Sequence, residues 1–431
     1  MSTPLDIIRL KRDGSPLTRE SLLPIFREYD AGLVPDAAMA ALLMLIACEG
    51  MDRSEVIALT QALQKEDHAS ALSGLPNPAV ELSSLGVGSE RILLIAAPIV
   101  AAAGICLPLQ PSGNGNEYGG LNALMAIPGL KPSASLSTFE KVVAQTGLGY
   151  REQTFSNEPL IQQLRDLQEV TATDSLFTES AYLLSQMQTA VNGLVFHWPC
   201  LEVLAADLDL AAMLVNTVST MGKRSIALFT DVHQPWGQVM GAALEIAETQ
   251  EILRGQGSER LGILALELAS LLIWAGEGAA SLETAKVLAR NAIASGEALD
   301  KWRTWIDAQG GDAAVVDDPS RLPQASQTET LEATEEGYVT EIRMDVLQKA
   351  LALLCESGGG TKTKANLGAG LQLHVELGSP VEEGDLLCTC YGMKSSQMEP
   401  ALALLQSAFR IEPEPLRPPD LLKLLVTPTL L

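Results

Sequence analysis

The chain has 431 residues, 47% hydrophobic and 19% charged, a globular composition that excludes fibres and low-complexity proteins and, at about 150 residues per domain, allows about three structural units. Its 29 Lys and Arg against 53 Asp and Glu leave a net charge of −24, a field that repels phosphate backbones and anionic lipid, so neither nucleic acid nor membrane is an expected partner. The cysteines are scattered, the one close pair, Cys388 and Cys390, has strand-like alternation and no second ligand pair, and a reducing cytoplasm is the expected setting.

Residues 1–12 lack the basic start and apolar core of a secretion signal. The first helix expected is capped by Thr18 and carries Leu22, Leu23, Ile25 and Phe26 at helical spacing. Gly32 and Pro35 end it, Asp36 caps a second helix to 47, and Asp52 opens a third to about 63, giving three short helices. The apolar runs 37–48 and 92–106 fall below the ~20 residues of a membrane span and read as core. Gly86-Val87-Gly88 before an apolar helix is a weak form of the turn by which helix N-termini cradle anions. Strands at 193–196 and 225–230, split by a helix over 201–221, predict a mostly parallel sheet. A linker over 317–327 and the acidic stretch 329–336 precede a strand at 338–343, a helix at 345–355 and strands near 371–376 and 386–391, a closing α+β unit.

Particular segments carry a resemblance. Asp6-Ile7-Ile8, Gly32-Leu33-Val34-Pro35-Asp36, Asp231-Val232-His233-Gln234-Pro235-Trp236-Gly237, Gly310-Gly311-Asp312 and Val381-Glu382-Glu383-Gly384-Asp385 together resemble the pyrimidine-nucleoside (thymidine) phosphorylase family, in order, over nearly the whole chain. The resemblance implies an α/β protein of nucleoside phosphorylase type II-like fold. A helical domain (1–65 with about 160–190) would face a mixed, mostly parallel-sheet α/β domain (66–159 with 191–328) across a cleft, followed by a C-terminal α+β domain (329–431). It also implies a homodimer, a small molecule in the cleft, no cofactor or metal, and phosphate attack on the anomeric carbon of a nucleoside.

The motifs that would do this chemistry are altered. Where the family has Lys-His-Ser-Thr-Gly-Gly-Val-Gly-Asp, this chain has Glu81, Leu82, Ser83, Ser84, Leu85, Gly86, Val87, Gly88 and Ser89, so a carboxylate replaces the phosphate-side lysine. Arg91 is a misplaced substitute cation. The second phosphate signature becomes Ser112-Gly113-Asn114-Gly115 with Tyr118, without its arginine. Gln168 stands where a base-binding arginine would be, Tyr182 and Gln186 replace a serine and a lysine, and His197-Trp198-Pro199-Cys200 replaces a flexible loop. Ser83, Ser84, Gly86, Gly88, Ser112 and Asn114 are the candidate ligand-binding residues; Glu81, Tyr118, Gln168, Tyr182, Gln186 and His197 are the catalytic candidates. The plainer readings are a half-exposed helix face for Tyr182 and Gln186, core residues for His197 and Cys200, a structural turn for His233 and Asp317-Asp318, and packing for Trp302 and Trp305. Two functions compete: a member that has lost phosphorolysis and binds or transforms a different, non-phosphate molecule, or an active pentosyltransferase using the substituted residues. A non-catalytic scaffold is a third.

Overall fold

The computed structural model describes residues 3–64, 75, 77–85, 89–109, 119–151, 158–187, 190–356 and 366–429. The N-terminal part has four helices, not three: α1 (Pro4–Arg12), α2 (Arg19–Asp30), α3 (Asp36–Glu49) and α4 (Arg53–Leu63). Thr3, Thr18 and Asp52 each close a reciprocal capping box, which fixes where α1, α2 and α4 start. Asp36 caps nothing: Pro35 is the N-cap of α3, and the Asp36 carboxylate instead accepts from the Tyr29 hydroxyl at 3.0 Å. Glu55 ties α1 to α4, accepting from buried Lys11 Nζ at 2.8 Å and from Leu17 N–H at 3.0 Å. The chain later returns as α7 (Glu158–Thr171) and α8 (Leu176–Ser185), whose Leu160, Ile161, Leu164, Ala181 and Tyr182 enter the core formed by α1–α4.

The central sheet has the order β1-β4-β5-β13. Strands β1 (Val80–Ser84), β4 (Gly193–Cys200) and β5 (Arg224–Asp231) are parallel, and β13 (Leu422–Val426) joins antiparallel to β5. A parallel pair, β2 (Leu107–Leu109) and β3 (Leu148–Tyr150), extends it through the Ala79–Cys106 bridge. Helices cover both faces, which is why β4 is buried for most of its length. Val195, Ile226 and Leu228 pack with α5 (Ser89–Ala102) and α11 (Glu259–Ala275), and Leu194, Phe196 and Trp198 pack with α9 (Ala205–Thr220). The end of α11 approaches so closely that a Cβ on Gly193 would collide with the Ala275 carbonyl. Trp302 and Trp305, on α13 (Glu297–Ala308), are wholly buried with ring centroids 5.1 Å apart, a packing pair.

The expected linker over 317–327 holds a 3-10 turn at Pro319–Arg321, and the acidic stretch after it begins inside a strand, since Gln327–Glu332 forms β7, paired with β11 (Leu386–Gly392). Two strand exchanges bind the C-terminal part to the middle of the chain. Strand β6 (Val239–Met240) pairs with β9 (Gly370–Leu373), and β13 crosses back to β5. Cys388 and Cys390 share the buried face of β11, and all six cysteines are free. Among the described residues no helix is long and apolar enough to cross a membrane.

Candidate functional site

The candidate residues fall into two groups. On β1, strand alternation puts Glu81 and Ser83 on one face and Leu82 and Ser84 on the other, where Leu82 packs against the α5 core. Glu81 lies near the amino end of the strand, and the register Glu81–Leu194–Ser225 places Lys223 on the same face of the sheet. Burial pushes the Lys223 ammonium down while the field of Glu81 opposes that shift, so Glu81 has a cation within range and is not an isolated carboxylate. Ser84 is in register with His197, and Leu85 N–H donates to the His197 carbonyl at 2.9 Å.

His197 is fully buried, its Nε2 2.9 Å from Thr230 Oγ1 and its ring 5.5 Å from that of Trp236. Burial pushes its pKa down to about 3, so the imidazole is neutral at physiological pH. Cys200 lies three residues further along the same strand, on the opposite face, and burial raises its thiol. The two cannot form a nucleophile–base pair. Gly86, Gly88, Ser112, Asn114 and Tyr118 lie outside the described residues.

Arg91 is engaged internally and cannot substitute for the missing phosphate-side cation. Its guanidinium donates to the Val239 carbonyl at 2.5 Å and pairs with the Glu248 carboxylate. Beside it Glu245 accepts from Gly120 N–H at 2.9 Å and Gly241 N–H at 3.3 Å, and burial pushes its carboxyl up. Sequence spacing gave no sign of this buried cluster, whose partners lie on α5, on the 3-10 helix Gly120–Ala126, on β6 and on α10 (Ala242–Leu253).

The second group lies where α7 turns into α8. Ala172 adopts φ +50°, a left-handed conformation that ends α7. Gln168 clamps this turn: its Nε2 donates to Thr173 O and to Thr178 Oγ1, both at 2.9 Å, and its Oε1 accepts from the Tyr182 hydroxyl at 2.8 Å. Gln168 and Tyr182 are 2% and 1% exposed, so this amide and phenol are satisfied by the protein itself rather than presented to solvent. Burial drives the Tyr182 phenol far above its ordinary value, leaving it a neutral donor. Gln186, the C-cap of α8, is half-buried.

A cavity of about 680 Å³ opens between α7, the start of α8 and the start of α9, and among the described residues Gln168 is the one catalytic candidate in its wall. Asp166, Glu169, Asp174, Glu179 and Asp209 line it against a single cation, Arg165. Arg165 is itself committed to Glu179 at 2.7 Å and sits 5.7 Å from the centre of the Tyr182 ring. Such a wall attracts cations and opposes dianions.

Comparison with known proteins adds three findings. Residues 5–66 match the model of the glycosyl transferase family helical bundle domain. The chain is 32% identical over 429 residues to a pyrimidine-nucleoside phosphorylase of Geobacillus stearothermophilus, covering 97% of this chain and 98% of that protein, and 32% identical over 398 residues to one from Staphylococcus aureus, covering 90% and 91%. Its fold is similar to that of anthranilate phosphoribosyltransferase from Thermus thermophilus, with a TM-score of 0.51 and 17% identity over 70% of this chain and 99% of that one.

Proposed function

Because the chain belongs to the pyrimidine-nucleoside phosphorylase family, we propose that it is a member that has lost phosphorolysis and binds or transforms a different, non-phosphate small molecule between its helical and α/β parts. The observation that carries this reading is the Gln168–Tyr182 pair. At positions that would face the pyrimidine, two neutral side chains satisfy each other inside the protein. Glu81 in place of a lysine and Arg91 bound to Glu248 support the same reading on the phosphate side. Losing one donor from a preorganised site costs ~2.7 to 4 kcal/mol of transition-state stabilisation, and here several are replaced together. The carboxylate-rich cavity favours a neutral or cationic ligand.

The protein acts in the reducing cytoplasm as a homodimer whose second copy covers the outer face of α1 and α3. Leu5 on α1 and Met44 on α3 are 53% and 43% exposed, and α3 is apolar almost all round. Incubation with thymidine or uridine and phosphate, with free base measured by chromatography, tests the loss of activity. No base above background is expected. Base release would establish the alternative, an active pentosyltransferase.

A further inference from the structure

We propose that the carboxyl ends of β4 and β5 carry a site for a hydrogen-phosphate group, formed by Arg260, Lys423 and His233 around the buried carboxylate of Asp231. Asp231 is the last residue of β5 and is wholly buried. Its Oδ1 accepts from His233 Nδ1 at 2.6 Å and Lys423 Nζ at 3.1 Å, and its Oδ2 from Arg260 Nη2 at 2.9 Å and His233 N–H at 3.2 Å. Two permanent cations and an imidazole thus meet one carboxylate, a local positive excess in a chain of net charge −24. In open α/β sheets ligands bind beyond the carboxyl ends of the strands, where this cluster stands.

Its donors are not used up. Arg260 Nε is buried and meets no acceptor among the described residues. A buried donor left without a partner is costly, and in native structures such a group calls for a missing acceptor. The rigid fork of the guanidinium keeps this N–H within one guanidinium width of the Asp231 bond. Lys423 Nζ also donates to the Leu201 carbonyl, which leaves its third N–H.

His233 selects the ligand. The ionised carboxylate of Asp231 can only accept, so Nδ1 carries a proton, and in its neutral form the ring presents a lone pair at Nε2. The His233 side chain is 39% exposed, and that lone pair requires an O–H. Hydrogen phosphate offers anionic oxygens to Arg260 and Lys423 and a P–OH to His233; sulfate has no O–H to offer. The register Ser84–His197–Leu228 places Asp231 two strands across from Ser84 and three residues further on, ~14 Å away at ~4.8 Å per strand and ~3.3 Å per residue. One phosphate cannot serve both places, and the site stands whether or not phosphorolysis has been lost.

Calorimetric titration of the full chain with inorganic phosphate, ribose 5-phosphate and sulfate tests this, on the wild type, Arg260→Lys, His233→Asn and Ser83→Ala. Arg260→Lys keeps the charge on Asp231 and removes Nε–H, and His233→Asn alters a partly exposed side chain. Saturable phosphate binding is expected, with sulfate weaker, weakened about tenfold or more in both Arg260→Lys and His233→Asn and unchanged in Ser83→Ala. A phosphate monoester is mostly the dianion at neutral pH and brings no P–OH, so ribose 5-phosphate should bind more weakly than inorganic phosphate, and tighter binding of the ester would overturn the selection by His233. Absence of saturable phosphate binding, wild-type affinity in either Arg260→Lys or His233→Asn, or loss in Ser83→Ala alone would overturn the proposal.

Discussion

Replacing Tyr182 by Phe removes one hydroxyl and leaves the ring, and so its burial in the helical core, unchanged. The transfer of apolar area from water therefore contributes nothing to the difference, and the effect isolates the 2.8 Å bond to Gln168 Oε1. That oxygen then stays buried without its donor, at a cost of ~1–3 kcal/mol. Gln168→Leu should cost more, because the carbonyl of Thr173 and the hydroxyls of Thr178 and Tyr182 lose a partner together. Removing both groups takes away donor and acceptor at once, so the double variant should be less destabilised than the sum of the singles by ~1–2 kcal/mol. Urea unfolding measures all three through the midpoint at constant slope. A Tyr182→Phe loss within ~0.5 kcal/mol of zero, or strict additivity in the double variant, would mean that the hydroxyl is not sealed against Gln168. The base-side positions would then still be open to a ligand.

Asp231→Asn breaks a buried pair and should cost ~3–5 kcal/mol at neutral pH. Burial pushes the Asp231 carboxyl up, but the bonds from His233 and Lys423 outweigh it and hold the pKa below its usual 3.8. The stabilisation is therefore present above that value and lost as pH falls through the lowered one. The gap between wild type and variant in chemical denaturation should close at acid pH, and an equal gap at pH 7 and under strong acid contradicts the assignment. Gly193→Ala should lose ~1–3 kcal/mol in thermal melts, since the clash is with the Ala275 backbone rather than a movable side chain. Met44→Glu, on the exposed face of α3, should shift light-scattering mass from dimer to monomer without lowering helicity; an unchanged mass places the subunit contact elsewhere.

Elements with a local chemical signature were legible in the sequence. The starts of α2 and α4 follow from Thr18 with Ser21 and from Asp52 with Glu55, because a capping box is written within four residues. The strand expected over 193–196 runs on to Cys200 for a nonlocal reason. Pro199 looks like a loop residue, yet β4 continues through it. The carbonyl of His197 is the last on that strand to meet β1, and Pro199, two residues on, points its missing N–H to the same side, beyond the end of β1, where no ladder bond is lost. Charge was misjudged in the same way. Arg91 could be seen near the glycine turn, but not that Glu248 already held it, and Glu81 could be seen as a reversed charge, but not that Lys223 faced it across the sheet. Lys423 reaches Asp231 from the far end of the chain, so no spacing pattern could pair them. A substituted residue's type states what an ancestral site has lost; whether its new side chain is available to a ligand depends on partners that only the tertiary fold supplies. Gln168 makes the point most directly, since its replacement removes a charge, but its bonds to Thr173, Thr178 and Tyr182 are what take it out of reach.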